Sequence, residues 1–176
     1  MPNIYGGTIA EYRLPTPSTT ALKPPSISFV DAAAISLAGL TVLQSIRHTD
    51  AGVRGGLKGK TVFVLGGLSG MGSFAMQLAK NVFGAGKVIA TLSPGEIAKD
   101  KELWAEGEAE VKHVDYTKED VNAVVGEGQV DFMFDTMAAA MRSLRLIQPG
   151  GVIVTDSKMP SGDVMRSRLR LTPWIL

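Results

Sequence analysis

Thr61-Val62-Phe63-Val64-Leu65, then Gly66-Gly67-Leu68-Ser69-Gly70-Met71-Gly72, then Ser73-Phe74-Ala75-Met76-Gln77-Leu78-Ala79 is the stretch on which the fold turns. The first run is apolar without alternation, which suits a strand covered on both faces in a parallel sheet. The last run is an apolar helix candidate. Between them, a tight turn, a close backbone approach to a diphosphate and close helix-to-strand packing each need a residue with no side chain in the way. Gly67, Gly70 and Gly72 supply much of that. The helix N-terminus adds unpaired N–H groups and partial positive charge, so a diphosphate can dock without a basic side chain. Against the pattern G-x-G-x-x-G the turn reads Gly67-x-Ser69-x-x-Gly72, with Ser69 in the second glycine's place. A P-loop is excluded because no Lys-Ser or Lys-Thr follows the glycines, and a G-x-S-x-G hydrolase elbow is absent. The competing reading is a tight strand-to-helix connection with no ligand.

Working outward, strand-like runs at 61–65, 87–92, 111–115, 130–135 and 151–156 alternate with helix candidates at about 70–83, 97–106, 118–125 and 138–147. This alternation predicts an α/β fold, a doubly wound parallel sheet of about five strands. Strand order should reverse beside the first strand, and the ligand crevice should lie at that strand's carboxyl end. Upstream, the Ala- and Leu-rich run 29–46 follows Ser28 and Asp31, a variant capping box, and reads as one helix or as two divided at Gly39. Pro15, Pro17, Pro24 and Pro25 surround Ser18-Thr19-Thr20 in an extended linker, and residues 8–14 read as one short strand. The glycines from Gly52 to Gly59 suit an exposed connection.

The end of the second strand selects between dinucleotides, since an acid there holds the ribose hydroxyls of NAD. Ile89-Ala90-Thr91-Leu92-Ser93-Pro94 has no carboxylate at the tip, Ser93 can donate a hydrogen bond, and Lys99 or Lys101 can supply positive charge, with Glu96 opposing them. NADP(H) is therefore expected over NAD(H). The competing reading makes both lysines ordinary solvated residues.

Composition removes other classes. Eighteen Lys and Arg against 17 Asp and Glu leave a net charge of +1, so no nucleic-acid partner is implied. Zero cysteines exclude disulfides, a thiolate nucleophile and Cys-containing zinc sites, and two histidines, His48 and His113, are too few for an all-His site. No metal is expected. No uninterrupted apolar window reaches about 18 residues and no secretory signal is visible at the first residues, so no membrane partner and a cytoplasmic location are the expectations.

The chain resembles the medium-chain dehydrogenase/reductase superfamily, in its zinc-independent quinone oxidoreductase and enoyl reductase branch. The resemblance rests on Gly7-Thr8-Ile9-Ala10-Glu11-Tyr12, Ser28-Phe29-Val30-Asp31-Ala32-Ala33, Leu37-Ala38-Gly39-Leu40-Thr41, the turn from Gly66 to Gly72 with its helix, Asp115-Tyr116, Val130-Asp131-Phe132-Met133-Phe134-Asp135-Thr136 and Pro149-Gly150-Gly151. It implies a Rossmann-type sheet, NADP(H) as cofactor, and NADPH-dependent hydride transfer to a quinone or an activated C=C, as in an enone. Gly67, Ser69, Gly70, Met71 and Gly72 then belong to the cofactor site, with Gly70 and Gly72 facing the pyrophosphate. Thr41 lies near the nicotinamide. Ser93, Lys99 or Lys101, and Tyr116 surround the 2′-phosphate, while Asp135 and Thr136 stand at the crevice edge, and Ser157 joins the residues at the close of the fifth strand. Met137-Ala138-Ala139-Ala140 stands where relatives usually carry glycine.

The resemblance also implies truncation. Residues 1–27 would be a remnant strand and linker of a missing catalytic domain, 28–157 the cofactor domain, and 158–176 an incomplete tail. A homo-oligomer or a partner chain could complete the cleft. No residue is nominated as catalytic, since no motif arranges His48, His113 or Tyr116 as a proton donor. The alternatives are a catalytically silent NADP(H)-binding or interaction module, or an incomplete gene model.

Overall fold

Alternate residues of one buried strand feed two separate cores, and this sets the layering. In the computed structural model, which describes residues 11–12, 16–50, 55–103 and 110–156, that strand is β1 (Thr61–Leu65). Val62 and Val64 point to one face, joining Phe132, Phe134, Val88 and Ala90. Phe63 and Leu65 point to the other, with Ile89, Val114, Val130 and Met133. Both faces are apolar because both are covered, as the period of two in a strand requires.

β1 lies at the centre of one five-stranded sheet with β2 (Lys87–Leu92), β3 (Glu110–Asp115), β4 (Val130–Asp135) and β5 (Ile147–Thr155), in the order β3-β2-β1-β4-β5. Every pairing is parallel. All carboxyl ends therefore share one edge, and the chain changes direction across the sheet between β2 and β4, on either side of β1. The predicted doubly wound sheet and its switch point are borne out.

The first face is covered by α1 (Phe29–Asp50) through Val42 and Ile46, and by α2 (Gly72–Asn81) through Ala75, Met76 and Ala79. The second is covered by α4 (Val121–Val125) and by Ala140 and Leu146. The remaining α-helix among the described residues, α3 (Pro94–Leu103), follows β2.

Four expectations need correction. Gly39 does not divide α1: it is buried, and a Cβ there would lie 3.6 Å from the Phe74 ring, so its missing side chain lets α1 and α2 approach while the helix runs on. α3 starts at Pro94 rather than near 97, because Ser93-Pro94-Gly95-Glu96 is a capping box with proline in the first helical position. No α-helix forms over 138–147. Two 3-10 turns, Ala140–Arg142 and Leu144–Leu146, stand there instead. Finally, β5 begins at Ile147, four residues early, with its register to β4 shifting between Val130 and Phe132, where Pro149 lacks an N–H and Gly150 has φ +87°. The strand expected over 8–14 falls mostly outside the described residues.

α1 is long and apolar enough, by length and composition alone, to cross a membrane, and most of it is uncovered here, with Phe29, Val30 and Leu37 strongly exposed. The capping expected at its start is present: Ser28 Oγ accepts the Asp31 N–H at 3.1 Å and donates to the Asp31 carboxylate at 2.6 Å.

Candidate dinucleotide site

At the carboxyl end of β1 the chain reverses through Gly66, whose φ of +77° is the left-handed region that favours glycine. The turn is fastened to β2 by Thr91, which is buried. Its Oγ1 accepts the Gly66 N–H at 2.8 Å and its carbonyl accepts the Gly67 N–H at 3.0 Å. Gly67 then lies so close to β2 that a Cβ would be 2.7 Å from Ala90 Cβ and 2.8 Å from Met76 Sδ.

Ser69 completes the turn. Its Oγ accepts the Gly72 N–H at 3.0 Å and lies 3.1 Å from Thr136 Oγ1. Thr136 Oγ1 donates its one proton to the Leu65 carbonyl at 2.7 Å, so Ser69 must donate to Thr136. The result is a directed chain from the Gly72 amide through two hydroxyls to the end of β1. It ties the α2 start, the turn and the β4 tip together.

The glycines therefore divide by task. A Cβ on Gly72 would overlap the Gly66 carbonyl oxygen and lie 2.9 Å from the carbonyl carbon, so Gly72 is needed for the turn itself and is buried rather than facing the crevice. Gly70 is the opposite case, exposed with no atom within 4 Å of a built Cβ. The amides of Leu68, Gly70 and Met71 have no partner among the described residues. Unpartnered N–H groups gathered ahead of a helix, beside a glycine open to the outside, form a cradle that a diphosphate fits.

At the β4 tip Asp135 is turned inward. Its Oδ1 accepts the N–H groups of Met137 and Ala139 at 2.9 and 3.2 Å, and its Oδ2 accepts the Ala140 N–H at 2.9 Å and the Thr155 hydroxyl at 3.4 Å. The residue is only 1% exposed. It shapes the 136–140 loop and offers nothing to a ligand. Within that loop Ala138 holds φ +54°, the left-handed conformation that suits the glycine expected there.

At the end of β2 the Ser93 N–H and hydroxyl both donate to one Glu96 carboxylate oxygen, at 2.7 Å each. Beside it, β3 ends at Asp115, which pairs with Leu92 across the sheet, and Tyr116 follows, half exposed. The Thr117 hydroxyl, donating at 2.6 Å, holds the Asp115 carboxyl below the usual carboxylate range, helped by the Thr117 N–H and by Lys118, against the opposing effect of desolvation.

The structure thus gathers Gly67, Ser69, Gly70, Met71, Gly72, Ser93, Tyr116, Asp135 and Thr136 at one edge, because all their strands end there. Thr41 is half-buried on α1, two residues beyond the Gly39 contact with α2. Lys99 is exposed on α3, while the Lys101 side chain and Ser157 lie outside what is described. Sequence reasoning missed Thr91 as the anchor of the turn, and it set Glu96 against the lysines without seeing that the carboxylate folds back onto Ser93 at the end of β2. The capping-box spacing Ser93-x-x-Glu96 was the available signal.

No protein-family model matches the chain. It is 35% identical over 158 residues to the 2-methylene-furan-3-one reductase of Solanum lycopersicum, covering 89% of this chain and 38% of that protein. Against the chloroplastic NADPH-dependent alkenal/one oxidoreductase of Arabidopsis thaliana the identity is 32%, with 96% of this chain and 43% of the relative covered. The quinone oxidoreductase of Coxiella burnetii superposes with a TM-score of 0.67 at 30% identity, over 83% of this chain and 43% of that one. By sequence and by fold the chain is similar to quinone and alkenal oxidoreductases of the medium-chain dehydrogenase/reductase superfamily, and it spans under half of their length.

Proposed function

We propose that this chain is the coenzyme-binding part of an oxidoreductase that transfers hydride between a nicotinamide dinucleotide and a quinone or an α,β-unsaturated carbonyl compound. The observation that carries this reading is the cradle at the switch point, where the Leu68, Gly70 and Met71 amides lack partners and Gly70 stands open. When bound, the coenzyme supplies the hydride chemistry through its nicotinamide ring. The chain's own residues bind and orient. The three amides donate to the diphosphate, Gly70 leaves room for it, and Thr91, Ser69 and Thr136 keep the turn in place. Thr41 is proposed to border the nicotinamide end.

The relatives' names support a nicotinamide coenzyme, and the Arabidopsis relative is named for NADPH. For this chain, the choice between phosphorylated and unphosphorylated forms turns on the end of β2. The substrate side of the cleft is proposed to come from beyond residues 28–157, through a catalytic part, a second copy or a partner chain. The exposed apolar side of α1, with Phe29, Val30, Leu37 and Leu40, supports such a neighbour.

Thermal melting with coenzyme tests the binding: a saturable rise in Tm is expected, and no rise with any nicotinamide form refutes it. Coenzyme oxidation with a panel of quinones and enones tests the chemistry. Turnover is expected. Its absence at high protein concentration, with binding intact, would reduce the chain to a silent coenzyme-binding module.

A further inference from the structure

The end of β2 carries an anion. Ser93 directs both of its donors at one Glu96 oxygen, so its hydroxyl proton is already taken and only lone pairs face outward. Glu96 is half-buried and forms no ion pair among the described residues. The neighbouring Thr91 hydroxyl is turned inward, onto the Gly66 amide. Lys99 lies three residues further along α3, exposed and in no ion pair among the described residues, so its charge is solvated rather than fixed at the strand end as that of Glu96 is. In a doubly wound sheet this strand end receives the adenosine ribose of a dinucleotide. A carboxylate there accepts ribose hydroxyls, whereas a 2′-phosphate needs free donors or cations.

We infer that Glu96 sets the coenzyme choice of this chain against the 2′-phosphate, so that NAD(H) binds in preference to NADP(H). The inference rests on the dinucleotide reading of the site. It runs opposite to the sequence expectation, and the reason is local. The strand tip itself has no acid, but the capping box folds the first turn of α3 back over Ser93 and brings one there. Tyr116, at the end of the adjacent strand, offers a hydroxyl that suits either form and does not decide between them.

The magnitude follows from Coulomb's law. A phosphate of nearly two negative charges held about 5 Å from the carboxylate in a water-like dielectric is disfavoured by about tenfold in affinity. Salt should shrink that ratio, because the groups are near the surface.

The test is calorimetric titration of the 176-residue chain with NADH and with NADPH at low ionic strength. NADH should bind about tenfold tighter. Glu96→Gln keeps an oxygen for the Ser93 N–H while removing the charge, and should bring the ratio close to one, mainly by tighter NADPH binding. Glu96→Lys should reverse it. NADPH binding as tight as NADH in the wild type, or a ratio unmoved by Glu96→Gln, would overturn the inference while leaving the dinucleotide site standing. Failure of both forms to bind would refute the site itself, and the inference with it.

Discussion

Gly70 and Gly72 are two residues apart in one turn, yet their replacement should have opposite consequences. In Gly72→Ala the new Cβ overlaps the Gly66 carbonyl oxygen and lies 2.9 Å from both the carbonyl carbon and Ser69 Oγ. The obstacle is backbone, so no rotamer change relieves it, and either the turn or the start of α2 must move. Overpacking of this kind costs about 1–3 kcal/mol, and a rigid obstacle places it near the top of that range, at about 3 kcal/mol. For a chain of this size that corresponds to a fall in Tm of roughly 6–12 °C. Gly70→Ala meets no atom within 4 Å and Gly70 is not in the left-handed region, so its Tm should stay within about 2 °C of the wild type or rise slightly. Coenzyme binding should invert the order: Gly70→Ala keeps its stability but loses most of the coenzyme-induced rise in Tm. Melting curves of the three proteins, with and without NADH, read both quantities. A Gly72→Ala protein that melts like the wild type, or a Gly70→Ala protein as destabilised as Gly72→Ala, would refute the division of tasks within the turn.

Two further outcomes follow from local geometry. Ala138→Gly relieves a left-handed alanine, worth about 1–2 kcal/mol, against roughly 0.5–1 kcal/mol of added chain entropy, so urea unfolding should show a gain of up to about 1.5 kcal/mol. The lowered pKa of Asp115 contributes stability that is present above the ordinary carboxylate range and is lost as pH falls through the folded-state value. Removing its largest cause with Thr117→Val should raise that pKa, measured by NMR titration of the Asp115 carboxyl, and should flatten the loss of stability below about pH 4.

What the sequence made legible was set by periodicity. Val62-Phe63-Val64-Leu65 and Val130 to Asp135 are apolar throughout because both faces of the sheet are covered, and that pattern survives without any knowledge of partners. The switch point followed from parallel connection rules. What escaped depended on hydrogen bonds between distant segments. Asp135 looked like a crevice carboxylate, but whether such a residue faces outward or staples its own loop is decided by the N–H groups of Met137, Ala139 and Ala140, which turn back only once the loop folds. Competition for those amides also leaves residues 138–147 in 3-10 turns despite their good helix formers. Ser69 looked like a defective glycine, yet its hydroxyl closes a chain reaching 67 residues onward to Thr136. Thr91 read as one more strand residue, and its bond to Gly66 spans 25 positions.

The central claim is that the carboxyl edge of the sheet binds a dinucleotide through the amides of the β1 turn. Backbone amide NMR during titration with NADH tests it most directly. The account predicts saturable shifts at Leu68, Gly70 and Met71 and at Ser93, with the amides of Lys60, Gly86 and Gln129, at the opposite edge, unmoved. Saturable shifts confined to that opposite edge, or none in the turn at saturating coenzyme, would contradict it.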